Sequence, residues 1–341
     1  MKAAIYNPYL DTLGGGERYA MSFARVLKDA GYRVDVGWKD LEIKEKLEDR
    51  FGMELDDINV VPDIKRGDGY DICFWLSDGS IPLLRARKNI LHFQIPFKNI
   101  NGKTLLNRMK LYRINRIICN SYFTKSYVDN EYGVKSEVIY PPVEIGTIKP
   151  KKKENLIISV GRFSQLMQAK KQDVLVSAFK KFYDAGFKNW QLILAGGVEI
   201  GVNDYVGKLE ENSKGYPIQI IKSPSWKMLK DLYGKAKMFW SASGYKVDEK
   251  KEPEKVEHFG ITVVEAMAGG AIPLIYDAGG HKEIVSEGMN GYLWINIKTL
   301  LQETQEIAKN KQFQIKLSKN AQISSKVYEY ERFEAQVLEI L

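Results

Sequence analysis

A chain of 341 residues, 44% hydrophobic and 28% charged, is long enough for two separately cored domains, and its composition excludes disordered, collagenous and membrane-spanning classes. The net charge of +8 invites an anionic partner, but overall charge speaks to association rather than to chemistry. No run of about eighteen apolar residues occurs, and Met1-Lys2-Ala3-Ala4-Ile5-Tyr6 runs straight into a strand-like pattern, so neither a spanning helix nor a signal peptide is expected.

Short apolar runs alternate with longer segments of helical period. Strand Ala3–Asn7 precedes helix Glu17–Ala30, and strands follow at Arg33–Gly37, Ile72–Leu76, Asn89–Phe93, Arg116–Asn120 and Ser136–Ile139. Tyr140-Pro141-Pro142 stops regular structure, and polar Lys149-Pro150-Lys151-Lys152-Lys153-Glu154 precedes a second series. That series predicts strand Leu156–Val160, helix Lys171–Ala185 and strands Gln191–Ala195 and Ile218–Ile221. Helix Trp226–Ala236, strand Met238–Ser241, helix Thr262–Ala268, strand Ile272–Tyr276 and a long helical tail complete it. Such alternation is the signature of βαβ units around parallel sheets, here two α/β doubly wound domains, residues 1–145 and 146–324, with a helix at about 325–341 packing back on the first. Ligands of such sheets bind beyond the carboxyl ends of the strands, so the expected site is a cleft between the two domains.

Leu13-Gly14-Gly15-Gly16-Glu17-Arg18 follows the first strand and opens a helix, where glycines let backbone N–H groups approach an anion. A dinucleotide fingerprint would place a third glycine at Tyr19, so hydride transfer loses its main support. Gly102-Lys103-Thr104 is not a phosphate loop, because Phe97 stands where that motif needs its first glycine. No Asp-x-Asp pair, His-Glu-x-x-His motif or cysteine cluster supplies metal ligands, and no metal or cofactor is expected. Cys73 and Cys119, each in an apolar run, read as buried thiols of a reducing compartment, the cytoplasm.

In the second half, Val160-Gly161-Arg162-Phe163 leaves a strand and Lys170-Lys171-Gln172-Asp173 starts the next helix, so Arg162 and Lys170 converge where two cations could neutralise a diphosphate. Surface solvation is the bland alternative for both lysines. Glu265 sits inside an apolar helical stretch and needs donors, such as a pair of ribose hydroxyls or groups of its own protein. Glu257 precedes that helix, and Phe259-Gly260-Ile261 between the two glutamates offers backbone N–H groups to a sugar or phosphate.

Glutamate, seven residues, glutamate, with Phe-Gly between them, resembles the hallmark of glycosyltransferase family 4, which has the GT-B fold of two Rossmann-like domains. Gly14-Gly15-Gly16-Glu17-Arg18, Gly161-Arg162-Phe163, Lys170 with Asp173-Val174-Leu175, Ala278-Gly279-Gly280 and Asn290-Gly291-Tyr292-Leu293 match in order, over nearly the whole chain. Asn7-Pro8-Tyr9 and Glu257-His258-Phe259-Gly260-Ile261 are most similar to the mannosyltransferases of lipid-linked oligosaccharide assembly.

The resemblance implies a retaining, metal-independent transfer of a hexose, mannose from GDP-mannose in the first instance and a UDP-sugar in the second, to a glycan or lipid-linked acceptor. By it, Arg162 and Lys170 hold the diphosphate, with Lys171 a rival because two extra residues separate Arg162 from Lys170. Glu265 binds the ribose, and Glu257 with the Phe259–Ile261 backbone grips the sugar. Gly15 and Gly16 complete the phosphate or acceptor side, His92 touches sugar or acceptor, and the base sits around Lys222-Ser223-Pro224.

The segment Gly79–Val128 contains no acidic residue but carries Arg85, Arg87, Lys88, Lys98, Lys103, Arg108, Lys110, Arg113, Arg116 and Lys125. Within it Leu105, Leu106, Met109 and Tyr112 recur at helical spacing, a pattern compatible with peripheral docking on an anionic membrane or with an ordinary core helix. A basic nucleic-acid-binding protein is the rival of another class, but it explains neither the glutamate pair nor the glycine loops. An epimerase or phosphorylase on the same frame is the enzyme rival.

Overall fold

In the computed structural model, residues 1–165, 168–198 and 203–341 are described. They divide into two compact units, Met1–Pro142 with Tyr330–Leu341, and Val143–Glu329.

The first unit opens with strand β1 (Lys2–Tyr6), helix α1 (Gly15–Asp29) and strand β2 (Arg33–Gly37). Helix α2 (Ile43–Phe51), strand β3 (Ile58–Val61) and strands β4 (Ile72–Leu76) and β5 (Lys88–Phe93) follow. Helix α3 (Leu105–Leu111), strand β6 (Arg116–Cys119), helix α4 (Tyr122–Tyr132) and the two-residue strand β7 (Glu137–Val138) complete the continuous part. The strands form one parallel sheet in the order β3-β2-β1-β4-β5-β6-β7. Because crossover helices cover both faces, the central strands β1 and β4 read as unbroken apolar runs rather than alternating ones. Helix α1 buries Tyr19, Phe23 and Leu27 on the sheet, and Ser121 caps α4 by accepting the Thr124 N–H at 3.0 Å.

The second unit begins with β8 (Glu154–Val160), α5 (Gln172–Asp184), β9 (Gln191–Gly196) and α6 (Asn203–Ser213). It continues through β10 (Ile218–Lys222), α7 (Trp226–Lys235), β11 (Ala236–Ser241), α8 (Ile261–Ala268), β12 (Ile272–Tyr276), α9 (His281–Ile284) and β13 (Tyr292–Trp294). Helices α10 (Ile297–Lys309) and α11 (Lys311–Ser325) close it. Its parallel sheet has the order β10-β9-β8-β11-β12-β13, around a core that includes Ile157, Phe179, Phe182, Trp240 and Trp294.

The last helix, α12 (Tyr330–Ile340), belongs to the first unit, where Phe333, Val337 and Ile340 enter the core shared by β1 and α1. Cys73 and Cys119 are buried free thiols, both pushed up to about 12 by burial. Among the described residues no helix is long and apolar enough to cross a membrane.

Candidate functional site

In the second sheet β8 and β11 are neighbours, yet the chain leaves β8 toward β9 and leaves β11 toward β12. The two outgoing loops therefore diverge, and a crevice opens at the carboxyl ends of these strands. Both glutamate-motif and cation residues sit on those two loops.

The loop after β8 is fixed by close backbone packing. A Cβ on Gly196 would lie 2.0 Å from the Gly161 carbonyl oxygen, so only glycine lets the ends of β8 and β9 approach. Phe163 N–H donates to the Gly197 carbonyl at 2.8 Å, and Gln172 Nε2 donates to the Arg162 carbonyl at 3.0 Å. Tyr205 in turn donates its hydroxyl to Gln172 at 3.0 Å. The Arg162 backbone is thus clamped while its side chain is exposed, with no ion pair among the described residues.

The aliphatic stem of Lys170 crosses Gly161, where an added Cβ would meet Lys170 Cγ at 2.8 Å. Its ammonium reaches Glu257 Oε2 at 2.5 Å, with side chains 21% and 16% exposed. Burial pushes the Glu257 carboxyl up, but Lys170, with His281 and His258 behind it, more than offsets this and holds it down at about 2. Lys171 instead takes a left-handed backbone (φ 51°) as the N-cap of α5. Of the two rival lysines, Lys170 is the one brought to the glutamate.

Glu257 is anchored from behind by the Ala278-Gly279-Gly280 turn, whose Gly280 N–H donates to the Glu257 carbonyl at 2.8 Å. Added Cβ atoms on Gly279 and Gly280 would fall 2.2 Å from the Glu257 and His258 carbonyl oxygens respectively, which explains the paired glycines. That turn delivers His281, a residue the motif reading missed. It is fully buried, its Nδ1 faces the Tyr276 carbonyl at 3.0 Å, and Nε2 has no hydrogen-bond partner among the described residues. Burial lowers its basicity despite the pull of Glu257.

Gly260 starts α8 from a left-handed conformation (φ 117°) without a side-chain cap. Phe259 makes an edge contact with Tyr328 at 5.2 Å, and no side chain caps the helix N-terminus that the turn of Phe259, Gly260 and Ile261 begins. One turn along, Glu265 is 4% exposed and accepts the Tyr233 hydroxyl at 2.9 Å, so its own protein supplies a donor. Ser223 follows β10 with a left-handed backbone (φ 48°), its N–H on the Gly196 carbonyl at 2.8 Å. It lies two strands from β8, roughly 10 Å across the sheet.

The remaining sequence-predicted residues belong to the first unit. At the start of α1, Glu17 folds back and accepts from the Gly14 N–H at 2.7 Å, the Thr12 hydroxyl at 2.8 Å and Asn7 Nδ2 at 3.2 Å. The anion at this helix start is therefore the protein's own, which tempers the phosphate reading of Gly15 and Gly16. The Gln94 amide lies over Gly16, 1.9 Å from where a Cβ would stand. His92 is expected from the resemblance to touch sugar or acceptor. In the structure it is fully buried, stacked on Tyr19 with ring centroids 4.1 Å apart and beside Phe74 at 5.5 Å. Burial pushes it down to about 3; the Ile118 backbone pulls slightly upward, but neither ring nitrogen makes a hydrogen bond of normal geometry.

Among the described residues no three His, Cys, Asp or Glu side chains gather as a metal site. A family model described as "Glycosyl transferases group 1" matches residues 144–324, more than half of the chain, with Arg162, Lys170, Glu257 and Glu265 inside the match. The chain belongs to this family.

Two relatives share the name "GDP-Man:Man(3)GlcNAc(2)-PP-Dol alpha-1,2-mannosyltransferase". The Dictyostelium discoideum protein is 24% identical over 72% of this chain and 52% of its own length. That of Neurospora crassa is 25% identical over 51% of this chain and 35% of its own. The chain thus spans about a third to about half of these relatives. Among solved structures, HepE of Anabaena in complex with UDP and glucose superimposes with a TM-score of 0.79 at 19% identity, over 99% of this chain and 98% of that one. The likeness establishes the GT-B fold, two Rossmann-like parallel-sheet units.

Proposed function

We propose that the chain is a retaining, metal-independent glycosyltransferase that moves a hexose from a nucleotide diphosphate sugar to a glycan or lipid-linked acceptor. Family membership supports the reaction class. The observation that carries the residue assignment is the placing of exposed Arg162 and the Lys170–Glu257 pair on the two loops that diverge at the β8/β11 switch.

In this reading Arg162 and Lys170 meet the diphosphate as the bond to the sugar C1 breaks and negative charge grows on the leaving phosphate. The acceptor oxygen bonds C1 on the same face, and its proton passes to the departing phosphate. Lys170 turns from Glu257 to the phosphate, which frees that carboxylate to accept sugar hydroxyls. The start of α8, which no side chain caps, binds the sugar or phosphate, and Glu265, oriented by Tyr233, accepts from the ribose.

Mannose from GDP-mannose is the first choice of donor, supported by the names of the two relatives. A UDP-sugar is the second, supported by the UDP complex of the HepE structure. The unpaired buried thiols support a reducing compartment, and in this reading the reaction takes place in the cytoplasm, at the membrane face when the acceptor is lipid-linked. The test is a thermal-shift and turnover panel of GDP-mannose, UDP-glucose and other nucleotide sugars. A donor at a hundred times its Kd raises stability by about 2.7 kcal/mol. No shift and no sugar release with any of them would remove the assignment.

A further inference from the structure

We infer that helix α3 and an adjoining arginine-lined cavity form a docking surface for an anionic lipid bilayer. No residue of α3 is buried. Leu105, Leu106, Met109 and Tyr112 are 76%, 60%, 65% and 93% exposed, an unusual set of apolar side chains for one short helix to hold in water.

At about 100° per residue, Leu105, Met109 and Tyr112 fall within roughly 60° of one another, with Arg108 and Arg113 about 40° to either side. Leu111 points the other way, against the small core of Phe93, Cys119 and Tyr132. This anchoring makes the exposed wedge a fixed outward face. The loop leading into it is pinned as well, because Glu131 accepts the N–H groups of Asn99, Ile100 and Gly102 at 2.9 to 3.0 Å. The nearby carboxylate is thereby occupied by backbone donors.

Next to the wedge lies an open cavity of about 490 Å³ lined by Arg85, Arg87, Asn89, Tyr112, Arg113 and Asn115. Arg87 pairs with Asp71 at 3.0 Å, whereas Arg85 and Arg113 have no ion pair among the described residues. Tyr112 belongs to both features and joins the apolar wedge to the cationic hollow. Apolar tips ringed by cations match a bilayer, whose acyl boundary takes the former and whose phosphates take the latter. A nucleic acid would use the cations but would leave the leucines in water. The face lies in a stretch, Gly79–Val128, without one acidic residue.

This gives a place to the membrane contact of the proposed function and rests on that reading only for its purpose. The experiment uses the full chain in vesicle flotation, comparing phosphatidylcholine vesicles with vesicles that also contain phosphatidylglycerol, at low and high salt. The wild type is expected to float with the anionic vesicles, less so at high salt, and to stay behind with the zwitterionic ones. Each arginine removed should weaken partitioning about fivefold, so R85Q/R113Q should lose about 25-fold. L105Q/M109Q should lose at least tenfold. All four positions are exposed, so both variants should keep the wild-type Tm.

Absence of wild-type flotation, indifference to phosphatidylglycerol, or unchanged binding by either double variant overturns the inference. So does tighter binding to random duplex DNA than to anionic vesicles. Donor turnover in the same preparations separates the two readings: flotation without turnover spares the surface and sinks the transferase, and the converse result does the opposite.

Discussion

Lys170 and Glu257, 87 residues apart in sequence, meet at 2.5 Å across the mouths of β8 and β11, and the lysine keeps the glutamate ionised far below the ordinary carboxylate range. A group whose folded-state pKa is depressed stabilises the fold above its unfolded pKa, and that contribution is lost as pH falls through the folded value. The window here runs from about 4.5 down to about 2. Wild type should therefore lose on the order of 3 kcal/mol more than Glu257→Gln between neutral pH and pH 2. Parallel denaturation curves for the two proteins across that range would show that the pair carries no such linkage.

Arg162 is exposed, and only its backbone is tied down. Arg162→Ala should leave the Tm within a degree or two of wild type. It should cut turnover about a hundredfold, roughly 3 kcal/mol of barrier, with little change in acceptor KM. Single-turnover kinetics on the best donor of the panel would measure this, and a fully active variant would take Arg162 out of the mechanism.

His92 must gain a proton on unfolding in acid, because burial holds it neutral in the folded state. Its stabilising share is whole above about 6.5 and disappears as pH falls toward about 3, up to about 5 kcal/mol. His92→Phe preserves the stack on Tyr19 and Phe74 and should flatten that part of the pH–stability curve without altering donor or acceptor KM. His92→Ala should instead cost about 3 kcal/mol at neutral pH through the cavity it leaves. A raised KM in the phenylalanine variant would return His92 to the ligand.

Tyr233 donates to Glu265 from the neighbouring helix α7. Tyr233→Phe should cost about 1.5 to 3 kcal/mol of stability, the range for a hydrogen bond to a charged group. If Glu265 also holds the ribose, the donor KM should rise while turnover at saturation stays near wild type. An unchanged KM with lowered stability would mark Glu265 as structural.

Much of this was written locally in the chain. Strands β1, β4, β8, β9, β11 and β12 are largely apolar runs because both faces of a parallel sheet are covered. Helix α2 escaped notice because Ile43, Leu47 and Phe51 are its buried residues, set among lysines and acids. Strand β3 was missed as a short sheet edge with little to bury. In the site, the spacing of Glu257 and Glu265 and the exit of Arg162 from a strand were legible. The partners were not: Tyr233 for Glu265, Lys170 for Glu257, Glu17 for its own glycine loop and the ring stack for His92 all depend on contacts between distant segments. The same holds for His281, whose role follows from two glycines fitting against the Glu257 and His258 carbonyls.

The second unit also begins and ends at one place, since the Val143 N–H donates to the Tyr328 carbonyl at 2.8 Å and Val143 bridges Glu329 in parallel. Its chain ends are therefore stitched side by side, as in an insert spliced into a host. Cutting the gene after residue 329 would strip the host of the Phe333, Val337 and Ile340 side chains that fill its core. Lifting out residues 143–329 whole would remove a self-contained cassette and leave the host a gap short enough to rejoin with a brief linker.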